Sequence, residues 1–261
     1  GIGFVIVSAV LSDRVRTRRD IARTLGARVT LSLAGKDGSR RRLLSGPLLG
    51  RSRLTDRDLR AAARHLYARV PWSEPKPTLA VVGVDSLEAA VSITASLAAA
   101  VADNGYRTLL VDPTGALATR LGVSEPGTQD ASVGVDGSTV IVHRPEAYAS
   151  PPEGPLVVWE GDEALLAEWA DADVVLTLAD LPPALGGDYL RTWAASASMV
   201  VTSGRSTATK IHSVGEMIRT AGLRLGPVIV LGADKTDETI GVPAEQSSLP
   251  TYSESLEVVG Q

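Results

Sequence analysis

From residue 78 onward, short runs of apolar residues alternate with longer helix-forming stretches. Leu79–Val82 is four apolar residues closed by Gly83, the length and character of a buried parallel strand. Leu87–Ala102 is rich in Ala and Leu and lacks Gly and Pro, which predicts a helix packed on a sheet, ended at Asn104-Gly105. Arg107–Val111 reads as the next strand, with Asp112 at its carboxyl end. Beyond it the pattern predicts a short helix over Gly115–Leu121, a turn-rich Glu125–Gly137, and strands at Thr139–His143 and Leu156–Trp159. A helix at Asp162–Ala170, strands at Asp173–Leu178 and Met199–Ser203, a helix at Thr207–Ala221 and a last strand at Gly226–Leu231 follow. This alternation is that of an α/β domain, whose ligands bind beyond the carboxyl ends of the strands.

The first 77 residues have a different texture. The chain opens on GIGFVIVSAVLS, twelve residues where a bilayer span needs about 20. They are read as the end of a truncated transmembrane helix over 1–12. Arg14, Arg16, Arg18, Arg19 and Arg23 follow at once, a positive-inside pattern that places the rest in the cytoplasm and turns these arginines toward anionic lipid. Asp20–Leu25 closes a helix capped by Gly26, Arg28–Leu33 alternates as a strand would, and Ala34–Arg53 is a Gly/Ser/Arg-rich loop. Thr55 opens a second helix with Asp56 and Asp58 in its first turn, and 71–77 is a Pro-rich linker. The expected divisions are thus 1–12, a basic juxtamembrane 13–77, an α/β domain at 78–242 and a disordered tail at 243–261.

Composition sharpens this in two ways. The 261 residues include no cysteine, which removes disulfides, thiolate metal sites and cysteine nucleophiles. The net charge of −4 conceals an asymmetry: residues 1–70 hold 16 Lys and Arg against 5 Asp and Glu, whereas 71–261 hold 10 against 25. An acidic globular part behind a basic leader fits an anionic surface at the leader and argues against nucleic acid on the domain.

Candidate chemistry centres on the turn after Gly83. A phosphate cradle needs glycines that let backbone amides approach the anion, a cation, and a hydroxyl for Mg²⁺. Gly83 is the only glycine between Lys76 and Asn104, and no lysine occurs between Lys76 and Lys210. No register of this turn therefore yields G-K-[S/T], and Asp85 and Glu88 would repel a polyphosphate. Ser86 followed by Glu88 and Ala89 reads as a helix cap with an acidic first turn. His65, His143 and His212 fall in separate elements without metal-ligand spacing, and no G-x-S-x-G is present.

SLAAAVADNGYRTLLVD nevertheless resembles the helix and second strand of the deviant P-loop ATPases related to MinD and ParA. It is most similar to the cytoplasmic tyrosine-kinase domains of bacterial polysaccharide co-polymerases, the chain-length determinants. The resemblance spans about residues 1–35 and 78–242 and includes LLVD, DLPP and GADKTD. It implies a mostly parallel sheet flanked by helices on both faces, P-loop NTPase-like, behind a membrane span and a basic juxtamembrane helix. Laid over the family's GEGKST, the loop here is Leu87-Glu88-Ala89-Ala90-Val91-Ser92. Ala90 then stands at the phosphate-binding lysine and Val91 at the magnesium hydroxyl. Asp180 matches the acid of the family's D-T-P-P segment, which orders Mg²⁺ and water, with Leu181 in place of its Thr; after Asp112 the family carries a second acid two residues on, where Thr114 stands here. In the helix from Thr55, Asp58 and Arg64 match two of three residues that join family members into rings, with Ala61 at the third. One tyrosine, Tyr252, stands where active kinases carry a cluster.

The degenerate positions are thus Gly83, Leu87, Ala89, Ala90, Val91, Ser92, Asp112 and Asp180. With no cofactor, metal or catalytic residue expected, the reading is a pseudo-kinase scaffold at the inner membrane. It would act in exopolysaccharide, capsule or lipopolysaccharide chain-length regulation and contact the polymerase complex and anionic lipid, with homo-oligomers allowed and no nucleic acid bound. The alternatives are an active ATPase or tyrosine kinase of the same family, or a positioning protein of the MinD or ParA type. Without glycines, Leu87 or Val91 is expected to turn inward, with the helix starting near Ser86 and a shorter, tighter loop.

Overall fold

The computed structural model describes residues 14–34, 55–134, 137–145, 163–183 and 186–240. Residues 1–12, most of the Arg-rich loop, Leu156–Trp159 and the tail after residue 242 lie outside them. Among the described residues no helix is long and apolar enough to cross a membrane.

One sheet organises the rest. Its nine strands are β1 (Val29–Ala34), β2 (Thr78–Gly83), β3 (Thr108–Val111), β4 (Gly127–Val133), β5 (Ser138–Arg144), β6 (Val174–Asp180), β7 (Ser196–Thr202), β8 (Arg224–Ala233) and β9 (Thr239–Ile240). Their order is β4-β5-β3-β6-β2-β7-β8-β1-β9. Every pairing from β5 to β1 is parallel, and the two outermost strands, β4 and β9, are antiparallel. Both stretches assigned above, 13–77 and 78–242, contribute to this sheet, because β1 lies between β8 and β9.

Alternate residues of each central strand serve two cores. On β2, Ala80 and Val82 join Met199, Val201 and Val230 under α1 (Arg18–Leu25), α5 (Glu163–Asp171) and α6 (Ala208–Thr220). Leu79 and Val81 face the other way, joining Leu176, Leu178 and Ile229 under α2 (Asp56–Tyr67), α3 (Leu87–Asp103) and α4 (Ala116–Arg120). Such burial on both faces is why the strands read as unbroken apolar runs. Leu97 of α3 is fully buried, so its truncation to Ala would cost about 2–5 kcal/mol. Helices α1 and α6 pack closely because Gly215 has no side chain: a Cβ there would lie 2.8 Å from Leu25 Cδ2.

Two departures from the sequence pattern have physical causes. The turn-rich Glu125–Gly137 contains strand β4, whose residues GTQDASV bury only Ala131 and Val133; an edge strand wet along most of its length lacks the apolar signal. Strand β1 does not alternate, because Val29, Leu31, Ser32 and Leu33 are all buried between two neighbours. Helix α1 runs from Arg18 to Leu25 with Thr17 as its N-cap, accepting from Asp20 N, and Gly26 as its C-cap, as expected; among the described residues a further strand, β9, follows β8.

Candidate functional site

The carboxyl edge of β2 is where a nucleotide would sit. Gly83 is paired with Asp180 of β6 on one side and Val200 of β7 on the other. The ladder continues one residue further, since Val84 N donates to Val200 O at 3.0 Å. Ser86 then caps α3, its hydroxyl accepting from Ala89 N at 3.2 Å. Asp85 alone is left between the last ladder bond and the cap.

All six residues matching the family loop are helical, from Leu87 to Ser92. Ala90 is fully buried and packs on the strand end: a Cβ on Gly83 would lie 3.1 Å from Ala90 Cβ and 3.1 Å from Ser86 O. Val91 is buried in the core and Leu87 is half-buried against it. The helix start and short turn agree with expectation. Val91 turns inward, Leu87 only partly, and the side chain nearest a Cβ on Gly83 is that of Ala90. Hydroxyls near the turn are also engaged, with Ser92 Oγ donating to Glu88 O at 2.9 Å and accepting from Arg120 at 2.8 Å. Glu88 is exposed in the first helical turn, where its charge offsets the positive end of the helix dipole.

The two acids do not form a pair. Asp112 is fully buried and turned into its own loop. One carboxylate oxygen accepts from Thr114 N at 3.1 Å and Thr114 Oγ1 at 2.6 Å, the other from Ala118 N at 2.7 Å. Helix α4 starts at a left-handed Gly115 with no side-chain cap, so Asp112 satisfies an amide that the helix leaves open. Asp180 is exposed beside Gly83, while its backbone carbonyl accepts from the Tyr189 hydroxyl at 2.8 Å.

A cation does reach the edge, from a direction the sequence does not signal. Lys210, in the first turn of α6, lies 3.3 Å from Asp85 Oδ1. The other Asp85 oxygen is buried without a hydrogen-bond partner. No spacing rule connects residues 125 positions apart, so only the fold brings them together. A hollow of about 290 Å³ lies at the opposite edge, lined by Thr78, Trp169, Arg191, Trp193 and Leu223. No group of three or more potential metal ligands occurs among the described residues.

The basic leader divides. Arg14, Arg16, Arg19 and Arg23 are exposed. Arg18 turns inward, its Nε 2.9 Å from Asp237 and its backbone amide donating to the same carboxylate at 2.6 Å. In α2, Asp58 completes a capping box with Thr55, and Arg64 is exposed. The acid matching the ring motif thus holds its own helix end. His65 is buried, with Nε2 2.8 Å from Thr30 Oγ1 and Nδ1 facing Arg69 at 3.0 Å. Burial, and then the Arg69 charge, lower its pKa to about 4.

No family model matches the chain, and no curated protein matches it. Solved structures do. The chimerical protein CapA2B2 aligns at 17% identity and TM-score 0.57, over 84% of this chain and all of the other. The BceF tyrosine kinase domain aligns at 20% identity and TM-score 0.55, over 84% and 99%. The kinase domain of the Escherichia coli tyrosine kinase ETK aligns at 16% identity and TM-score 0.51, over 84% and 95%. The chain shares the fold of these bacterial tyrosine-kinase domains.

Proposed function

We propose that this chain, built on the fold of bacterial tyrosine-kinase domains, is a non-catalytic scaffold domain of an inner-membrane protein in bacterial polysaccharide assembly. The observation that carries the loss of catalysis is the contact of Ala90 with Gly83, where a helix turn fills the space of a phosphate cradle. The buried engagement of Asp112 supports it, since both carboxylate oxygens already accept from protein groups. On this reading no nucleotide or metal is bound, and the domain works through surfaces: anionic lipid at the exposed leader arginines, the polymerase complex elsewhere. It sits on the cytoplasmic side and contributes to setting chain length. The role in polysaccharide assembly draws on the sequence resemblance to co-polymerases and on the shared fold.

Calorimetry with Mg-ATP tests the central claim. No saturable binding is expected below millimolar nucleotide, and no autophosphorylation at Tyr252. Magnesium-dependent binding in the micromolar range would overturn the pseudoenzyme reading and favour an active ATPase or kinase. In the source bacterium, deletion should shift the length distribution of a surface polysaccharide; an unchanged distribution would remove the assembly role.

A further inference from the structure

We infer that the domain turns one corner of its carboxyl sheet edge toward anionic lipid headgroups, the corner made by residues 14–19 and the turn between β7 and α6. This rests on the membrane reading above and adds which side of the domain faces the bilayer.

The backbone fixes the geometry. Val15 N donates to Ser206 O at 2.9 Å, Gly204 N donates to Val15 O at 2.8 Å, and Ser203 Oγ donates to Arg16 O at 2.7 Å. Arg14 pairs antiparallel with Thr207. The leader thus adds a short extended segment to the turn that closes β7, and the Arg18–Asp237 pair holds the start of α1 to the loop after β8. In sequence, the apolar residues 1–12 join this docked segment through Asp13 alone.

The side chains then sort by alternation. Val15 is buried at 7% exposure, so Arg14 and Arg16, one residue to either side, stand on the outer face. Arg19 is exposed on the first turn of α1, and Arg205 is exposed in the β7–α6 turn itself. None of these four side chains has an ion-pair partner among the described residues. Of the acids on these segments, Asp237 is paired with Arg18, whereas Asp20, which accepts from the Thr17 hydroxyl, and Asp234, which accepts from Thr236, keep their charge. Glu238 is exposed and partly opposes the four. The corner remains net positive on an otherwise acidic domain, and each arginine near an anionic surface strengthens partitioning roughly fivefold. Arg205 is 182 residues beyond Arg23 in the sequence and belongs to the same surface only through the fold.

The chain has no cysteine, so single labels are clean. Thr209→Cys marks the carboxyl edge, at an exposed residue in the first turn of α6, and Ala195→Cys marks the amino edge, exposed just before β7. The full chain, labelled with a fluorophore, is mixed with vesicles of phosphatidylcholine and phosphatidylglycerol carrying a headgroup nitroxide. Flotation with the vesicles is expected, with residue 209 quenched several-fold more than residue 195. Arg205→Glu should reduce that difference while flotation persists. Equal quenching, stronger quenching at 195, or a pattern unmoved by Arg205→Glu would overturn the orientation and leave the membrane reading standing. Absence of flotation with both anionic and pure phosphatidylcholine vesicles would overturn both.

Discussion

Ala90 is the side chain against Gly83: a Cβ placed on that glycine would stand 3.1 Å from the Ala90 methyl and equally close to Ser86 O. The strand end and the first turns of α3 are therefore in direct contact at the point where the family resemblance puts a lysine. A lysine at residue 90 would need its ammonium in this packed space, where an unpaired charge is costly. Ala90→Lys should lower unfolding free energy by about 3 kcal/mol or more in urea titration. An unchanged midpoint would mean that the turn opens readily and that a cradle is still accessible.

Gly83→Ala probes the same contact from the other side. One of the two close atoms is a backbone oxygen, which yields less than a side chain, so overpacking should cost about 1–3 kcal/mol. Thermal denaturation reads the loss directly. A neutral outcome would contradict the closeness of strand and helix.

How much of this was legible follows from what each residue reports locally. Leu79–Gly83 and Leu87–Asp103 announce themselves because burial on both faces leaves apolar runs and a Gly-free, Pro-free helix. The lack of a G-K-[S/T] run is equally plain, since the glycines and lysine of that motif are adjacent in sequence. Strand β4 is hidden in the sequence because edge strands need little apolar surface, and the two-sided burial of β1 is hidden because its second neighbour, β9, comes more than 200 residues later. The role of Asp112 could not be read either. A carboxylate that binds metal and one that caps a helix look identical until the Ala118 amide is placed 2.7 Å away. The meeting of Lys210 with Asp85 is set by the pairing of β2 with β7, the strand that leads into α6, and has no linear trace.

Asp112 gives a prediction that separates those two roles. As a buried acceptor of three hydrogen bonds, its removal leaves the amides of Thr114 and Ala118 without their partner. Asp112→Ala should cost about 2–4 kcal/mol, the penalty for stranding buried donors plus a lost cap. The loss should be the same with and without Mg²⁺ in equilibrium denaturation. A difference that appears only with magnesium would assign the carboxylate to metal.

His65 sets a pH dependence. Its pKa is lowered to about 4 in the fold against an ordinary value of 6.5, so between those limits the unfolded chain binds the extra proton. Stability from this residue is therefore fully present above pH 6.5 and is lost as pH falls toward 4. The neutral ring accepts from Arg69 at Nδ1 and donates from Nε2 to Thr30, tying α2 to β1. The contribution should be about 3 kcal/mol, visible as a steeper fall in denaturation midpoint between pH 6.5 and 4 than in His65→Gln. Parallel slopes in the two proteins would show that the ring is protonated in the fold without cost.

The strongest test rebuilds the motif whole. Leu87→Gly, Ala89→Gly, Ala90→Lys and Val91→Ser together restore the glycines, lysine and hydroxyl that the resemblance implies. Two glycines in the first turn of α3 weaken the helix by about 1 kcal/mol each, and exchanging buried Val91 for Ser removes apolar packing at a similar or greater cost. The variant should therefore be a few kcal/mol less stable than the parent. Nor should it hydrolyse ATP, because Asp112 is held by Thr114 and Ala118, and Ser92 by Glu88 and Arg120. The Asp112 contacts lie outside the rebuilt stretch and would persist around a restored loop. A phosphate-release assay decides the matter. Turnover above the parent's background would mean that the remaining site was intact all along, and the scaffold reading would lose the argument that Asp112 supplies.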